Sequence, residues 1–480
     1  MKLLAFVPLL AFSAAIGLQD RYDIVIRGGR VLDPETGVDR VMNVGITGGT
    51  IARMAAESLT GGRIIDAAGL VVAPGFIDLH SHGQNAESYR LQALDGVTTA
   101  LEMEIGVPDV ARFVSEREGR TLINFGATAS HPAARMSSFG VTMPPGAIVP
   151  PAGPATNNPA TTDQIARMKE ILTREIDRGA LGIGMGITYT PGATRLEVIE
   201  MFRLAADRRV PVFVHVRSAG RIEPGSSIEA VGEVIGAAAL TGASLHIVHI
   251  NSSGLRDAAE CLNLVAGARA RGLDVTTEGY PYGAGMTAVN SALFNPGWRE
   301  RLGIDYKDLQ LVDTGERLTK ESFERLHAMS EPKLVLLYLN PDEIVDAVIT
   351  HPLVMIASDG HIERGKGHPR GSGTYARVLA RYVRSTQKLT LMDAIRKMSL
   401  MPAQRLERAT PAARRKGRLQ EGADADIVVF DAQTIVDHAT YDKPAEPSVG
   451  VRYLIVGGTV VVDRGAIAPG VAPGRALLRR

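Results

Sequence analysis

Short apolar runs separated by stretches of helical periodicity dominate the middle of the chain. The runs fall at residues 71–82, 97–105, 122–129, 181–188, 210–216, 244–251, 273–279 and 353–359. They are short and apolar, and the first is β-branched and punctuated by Pro74 and Gly75, which predicts strands rather than helix segments. Between several of them apolar positions recur every three to four residues, as in "RLEVIEMFRLAADRR" and "SIEAVGEVIGAAALTG". That is the spacing of a helix with one buried face. Eight strands alternating with helices predict an α/β chain with a (β/α)8 TIM barrel over residues 73–407. Residues 284–350 break the alternation and read as a mostly helical insertion able to cap the barrel. The stretch "MPPGAIVPPAGPATNNPATT" is too rich in Pro, Gly and Asn for either element and predicts a long loop over one barrel face. Both chain ends instead show short alternating strands with Gly and Asp-Pro turns. Residues 20–72 and 408–480 are therefore expected to form one small β-sandwich domain.

Composition narrows the function. The chain has 480 residues, 45% hydrophobic and 22% charged, with 53 Lys and Arg against 52 Asp and Glu. A net charge of +1 without a basic stripe argues against a nucleic-acid or membrane-surface partner and leaves a small-molecule substrate. A homo-oligomer is compatible with this composition. The opening "MKLLAFVPLLAFSAAIG" has one Lys, a short apolar run and small residues, the outline of a secretory signal peptide over residues 1–17. An exported protein, periplasmic or secreted, with no membrane span after leader cleavage, is the expectation. Cys261 is the only cysteine, so no intrachain disulfide can form. The basic end "GRALLRR" reads as a solvated tail.

The polar residues at the strand ends change the picture most, because barrel enzymes draw their chemistry from the carboxyl-terminal ends of different strands. "GFIDLHSH" ends the first strand with His80 and His82, on one face and about 7 Å apart along the chain. "ALEMEIG" places Glu102 and Glu104 on one face of the second. "VFVHVRS", "LHIVHINSSG" and "VMIASDG" bring His215, His249 and Asp359 to three further strand ends. Singly, each has an ordinary structural account. Together, four histidines and acids at matching ends form a ligand set for zinc or a similar divalent ion. Two ions a few ångströms apart need a bridging anion, which a glutamate on the second strand can supply.

These segments, with "GALGIGMGITYTPG", "EGYPYGAGMT", "IASDGHIERGKGHPRGSGTYARVLARY" and the closing "GRLQEGADADIVVFD", resemble the amidohydrolase superfamily, and within it the D-aminoacylase (N-acyl-D-amino-acid deacylase) branch. The resemblance runs over about residues 22–465 and implies a hydrolase of amide-type bonds that uses metal-activated water and two divalent ions, zinc above all. It implies that His80 and His82 hold one ion, that His215 and His249 hold the other, and that Asp359 is both ligand and general base. Tyr189 would lie by the scissile carbonyl, and Arg217, Asn251, Tyr282, His368 and Arg370 would contact substrate. Two departures stand out. D-aminoacylases carry a cysteine at the end of strand two, and many relatives carry a carboxylated lysine on strand four; this chain has neither. A glutamate bridge is therefore expected, with Glu104 nearer the ions. Glu102 is expected lower, orienting a ligand histidine or paired with a base such as Arg217, and is the alternative bridge. The lysine that follows the strand-six histidine in those enzymes is also missing, so the resemblance leaves the choice between D and L substrates open. A lactonase or cyclic-amide hydrolase with the same centre is the alternative enzyme, and an inactive binding scaffold is the alternative from another class.

Overall fold

The computed structural model describes residues 21–144 and 147–479, so the expected leader at 1–17 lies outside the described residues. Eight strands form the barrel: Phe76–Asp78, Val97–Val107, Asn124–Ser130, Ile183–Gly186, Val212–His215, Leu245–Ile247, Val275–Gly279 and Val354–Ile356. Each pairs with its neighbour in parallel. The first and eighth meet where Ser81 bridges Gly360 and the Asp359 amide donates to the His80 carbonyl at 2.6 Å. That contact closes the barrel beside the two histidines.

The apolar run at 71–82 is two strands, not one. Val71–Pro74 pairs with Arg21–Asp33 and, antiparallel, with Ile427–Phe430. The chain then crosses into the barrel at Gly75, where a Cβ would lie 2.2 Å from a Thr98 methyl. Nine strands from both chain ends form one hydrogen-bonded sheet with Val71–Pro74 and Ile427–Phe430 at its centre. Alternation explains why both of these runs are apolar throughout. Val72, Ile427 and Val429 pack with Ile26 and Val44 on one face, while Val71, Ala73, Val428 and Phe430 pack against Phe76 and Phe125 of the barrel.

Two further expectations are corrected. The insertion is not built of helices alone: beside Lys320–His327 and Asp342–Thr350, Ala284–Ala288, Leu309–Leu311 and Leu334–Tyr338 form an antiparallel sheet over a core of Phe294, Trp298 and Phe323. The run "KLVLLYL" does not alternate because both of its faces are covered, Val335 and Leu337 packing with Phe294 and Phe323 and Leu334 with Tyr189 and Ala288. The basic end is not a solvated tail. Arg475 and Leu477 bond to the Phe125 backbone, and the Leu477 side chain is buried with Leu101, Leu181 and Phe213 in the barrel interior. Among the described residues no helix is long and apolar enough to cross a membrane.

Candidate metal centre

Strand one ends by turning both imidazoles inward. His80 Nε2 lies 3.0 Å from Glu104 Oε2 and 3.3 Å from Asp359 Oδ1, and His82 Nε2 lies 3.0 and 3.2 Å from the same two atoms. On the other side, Glu104 Oε1 meets His215 Nδ1 at 2.5 Å and His249 Nε2 at 3.4 Å. The ligand atoms of each group lie within 4.8 Å of one another, and Glu104 belongs to both groups. One carboxylate thus offers one oxygen to each cradle.

The backbone works to reach this arrangement. The register of strand two against strand three jumps between Glu102 and Val107, so the segment bows out of the ladder and carries Glu104 to the centre of the barrel mouth. His249 (φ 29°) and Asp359 (φ 52°) both sit at positive φ, a costly conformation for residues other than glycine that clusters at functional sites. Asp78 ties strand one to strand eight by accepting from Ser358 Oγ at 2.5 Å, the Ser358 amide and the His80 amide.

The donor chemistry fits two cations. His82 Nδ1 lies 2.7 Å from Glu102 Oε2 and His80 Nδ1 lies 2.7 Å from Glu278 Oε1, so each ring gives its N–H to a carboxylate. The two Nε2 atoms then face each other as lone pairs at 3.2 Å, beside two carboxylate oxygens. Lone pairs converge there only around positive charge. Without a cation, burial opposes the charge on His80 but Asp359 and Glu104 raise it to about 10, so a proton takes the place on this ring that a metal ion would take. Burial likewise raises Glu104, but His80, His215 and His249 outweigh it and hold the carboxylate well below its usual range.

The sequence pattern of the Amidohydrolase family matches residues 63–137 and 155–462. The chain belongs to the amidohydrolase family. It is a metal-dependent hydrolase of carbon–nitrogen bonds. It is 29% identical to the N-acyl-D-glutamate deacylase of Alcaligenes xylosoxydans xylosoxydans, over 96% of this chain and 98% of that one. To the D-aminoacylase of the same organism it is 28% identical, over 95% and 98%. The Bordetella bronchiseptica N-acyl-D-glutamate deacylase, crystallised with zinc and a phosphonate mimic of the tetrahedral intermediate, superposes with a TM-score of 0.79 at 25% identity, covering 96% of this chain and 100% of that one.

In this amidohydrolase the centre opens onto a cavity of about 280 Å³. Ile148 and Val149 of the Pro-rich loop and Met286, Leu293, Leu334 and Leu337 of the insertion give it an apolar wall. Tyr189 lines it; its hydroxyl accepts from Thr287 Oγ1 at 3.2 Å, leaving its own proton free to donate. Burial, aided by the Glu104 charge, pushes that phenol well above its usual value, so it stays protonated.

The substrate contacts expected from the sequence are largely redirected. Arg217 lines the cavity but gives two donors to Glu233, at 2.9 and 2.6 Å, and a third to the Pro191 carbonyl; it is neutralised and does not pair with Glu102. Arg370 is buried behind the site, with Nη2 on Asp359 Oδ2 at 2.7 Å and its plane over the Tyr280 ring. His368 bonds the Ala284 carbonyl and accepts from the Arg370 amide, ordering that loop. Asn251 holds the Tyr280 backbone, and Tyr282 is buried beneath Arg377. None of the last four is among the lining side chains. Ser252, Tyr280 and Arg301 are. Arg301 carried no sequence signal because it comes from the insertion. Glu278 did carry one: in "VTTEGY" alternation turns it inward with Thr276.

Proposed function

We propose that the protein removes the acyl group from N-acyl amino acids, with the D configuration favoured on the strength of its relatives. The observation that carries the reading is the carboxylate of Glu104 shared between two cradles at the floor of a largely apolar cavity. Zinc suits the mixed imidazole and carboxylate donors. Two such ions, when bound, acidify water and polarise the carbonyl.

The side chains do the rest. Asp359 keeps Oδ1 in the cradle while Arg370 anchors Oδ2, so the carboxylate is fixed in orientation. Burial raises it, but Arg370 and the histidines outweigh burial and hold it below the usual carboxylate range, ionised and ready to accept a proton. It takes that proton from the attacking water and returns it to the amide nitrogen as the C–N bond breaks. The products are a free amine and a carboxylate. Tyr189 directs its O–H at the carbonyl oxygen as negative charge develops there. Arg301, whose guanidinium donates to the Leu293, Asn295 and Pro296 carbonyls and to no acid among the described residues, is the counter-charge for the substrate carboxylate.

The test is turnover of a panel of N-acyl D- and L-amino acids with apolar and acidic side chains, before and after metal removal. Chelator-resistant hydrolysis, or no hydrolysis of any N-acyl amino acid by the zinc-loaded protein, would refute the reading. Export by the leader at residues 1–17 belongs to the same proposal, and an intact Met1 in the mature natural protein would refute that part.

A further inference from the structure

The interior of the barrel below the centre is packed with Ile77, Leu79, Leu101, Met103, Phe213 and Met355. Among them sit two polar side chains that the reaction does not use, Glu278 and His246, both essentially inaccessible to solvent. Burying a carboxylate and an imidazole is costly unless every atom is bonded. Here every atom is. Glu278 Oε1 faces His80 Nδ1 at 2.7 Å and Oε2 faces His246 Nε2 at 3.1 Å. His246 Nδ1 lies 2.8 Å from Thr276 Oγ1, and Arg405 Nη1 reaches the same hydroxyl at 3.3 Å while bonded to Asp274 at 2.9 Å.

We propose that Glu278 and His246 are a positioning pair that locks the tautomer and tilt of His80, and so sets the affinity of the His80–His82–Asp359 cradle for its ion. The inference rests on the metal-dependent reading above. The proton assignment follows from the geometry. Were His246 to carry its proton on Nδ1, its Nε2 lone pair would face a carboxylate oxygen in a buried space, so the proton sits on Nε2 and Thr276 donates to Nδ1. Glu278 therefore receives two N–H groups, one from each ring. His80 must keep its proton on Nδ1, and its Nε2 lone pair points into the cradle. Glu102 does the same for His82 from the solvent side. Glu278→Gln keeps the shape but offers one acceptor and one donor to two N–H groups. One of the two rings must then give up its N–H to residue 278; the shorter contact, 2.7 Å to His80 against 3.1 Å to His246, points to His80, whose proton moves to Nε2, the ligating atom.

The experiment is titration of the metal-free parent, Glu278→Gln, His246→Leu and His246→Gln proteins with Co²⁺, following its visible absorption and calorimetric stoichiometry, with apo-protein melting as a control. The expected result for Glu278→Gln is about a 10- to 100-fold weaker first cradle, an unchanged Glu104–His215–His249 cradle, and apo melting close to the parent. His246→Leu weakens the same cradle by less, and His246→Gln, which can still donate to Glu278, restores it. A merely structural role would shift apo melting and leave the two affinities in their parent ratio. If Glu278→Gln binds both ions like the parent, the inference is wrong. If that variant does not fold, parent-like affinity in His246→Leu overturns it equally. A parent protein that binds no divalent ion would instead remove the metal reading itself.

Discussion

At the scale of single residues, Glu104 is where the centre stands or falls, because both cradles share it. Glu104→Ala is expected to lose both ions by elemental analysis and at least about 10³-fold in kcat/KM, since bridging and charge neutralisation disappear together. Retention of two ions would contradict the bridge. Arg301→Met is expected to raise KM by about 10- to 100-fold with little change in kcat, the worth of one charged hydrogen bond to a substrate carboxylate. An unchanged KM would place the counter-charge elsewhere. The side chains that the structure gathers around the centre were legible because alternation on a strand states which residues face inward, and chemistry states which of those want a cation. The cavity contacts were not. Arg217 and Arg370 carry the right charge, but whether a guanidinium is free depends on acids distant in sequence, such as Glu233 for Arg217.

At the scale of elements, all eight barrel strands could be read from short apolar runs, yet their irregularities could not. The bow in strand two is the clearest case: simple alternation stacks Glu102 below Glu104, whereas the structure sets it beside His82, held by the Ile105 and Gly106 amides. Gly106 makes the bow, at φ 70° with Thr128 Oγ1 only 2.5 Å from any added Cβ. Gly106→Ala should therefore weaken metal binding by displacing Glu102, measurable as faster loss of the ions to a chelator while the far-ultraviolet circular dichroism is kept. A second element-level prediction concerns Lys397, which caps the carbonyls of His351 and Val354 at the entry to strand eight. Burial, reinforced by Arg396, pulls its ammonium down to about 7. The unfolded chain holds that proton up to about pH 10.4, so between these values the folded state binds fewer protons and stability rises with pH. Denaturant unfolding at pH 7 and 9.5 should show this rise in the parent and a flatter response in Lys397→Met. Equal slopes in the two proteins would refute it.

At the scale of the whole molecule, the barrel is bracketed by its own chain ends. The sheet joins residues from Arg21 onward to strands ending at Ile467, and the last residues then turn under the barrel, where Leu477 enters the core. Leu477→Ala should cost about 2–5 kcal/mol, the usual penalty for emptying a buried leucine site, read as a lower melting temperature with the metal centre intact. A melting temperature equal to the parent would show that the tail is dispensable. The basic composition of that tail hid its role, because Leu477 and Leu478 are too few to make a period. For a chain made from its amino end, this layout has a consequence during synthesis. Residues 21–74 emerge with about half of their sheet still untranslated, and the floor of the barrel waits until Leu477 has been made. Closure of the interior is thereby coupled to synthesis of residues 427–477, and a chain released before residue 427 lacks both the sheet's partner strands and the plug, a natural target for quality-control proteases.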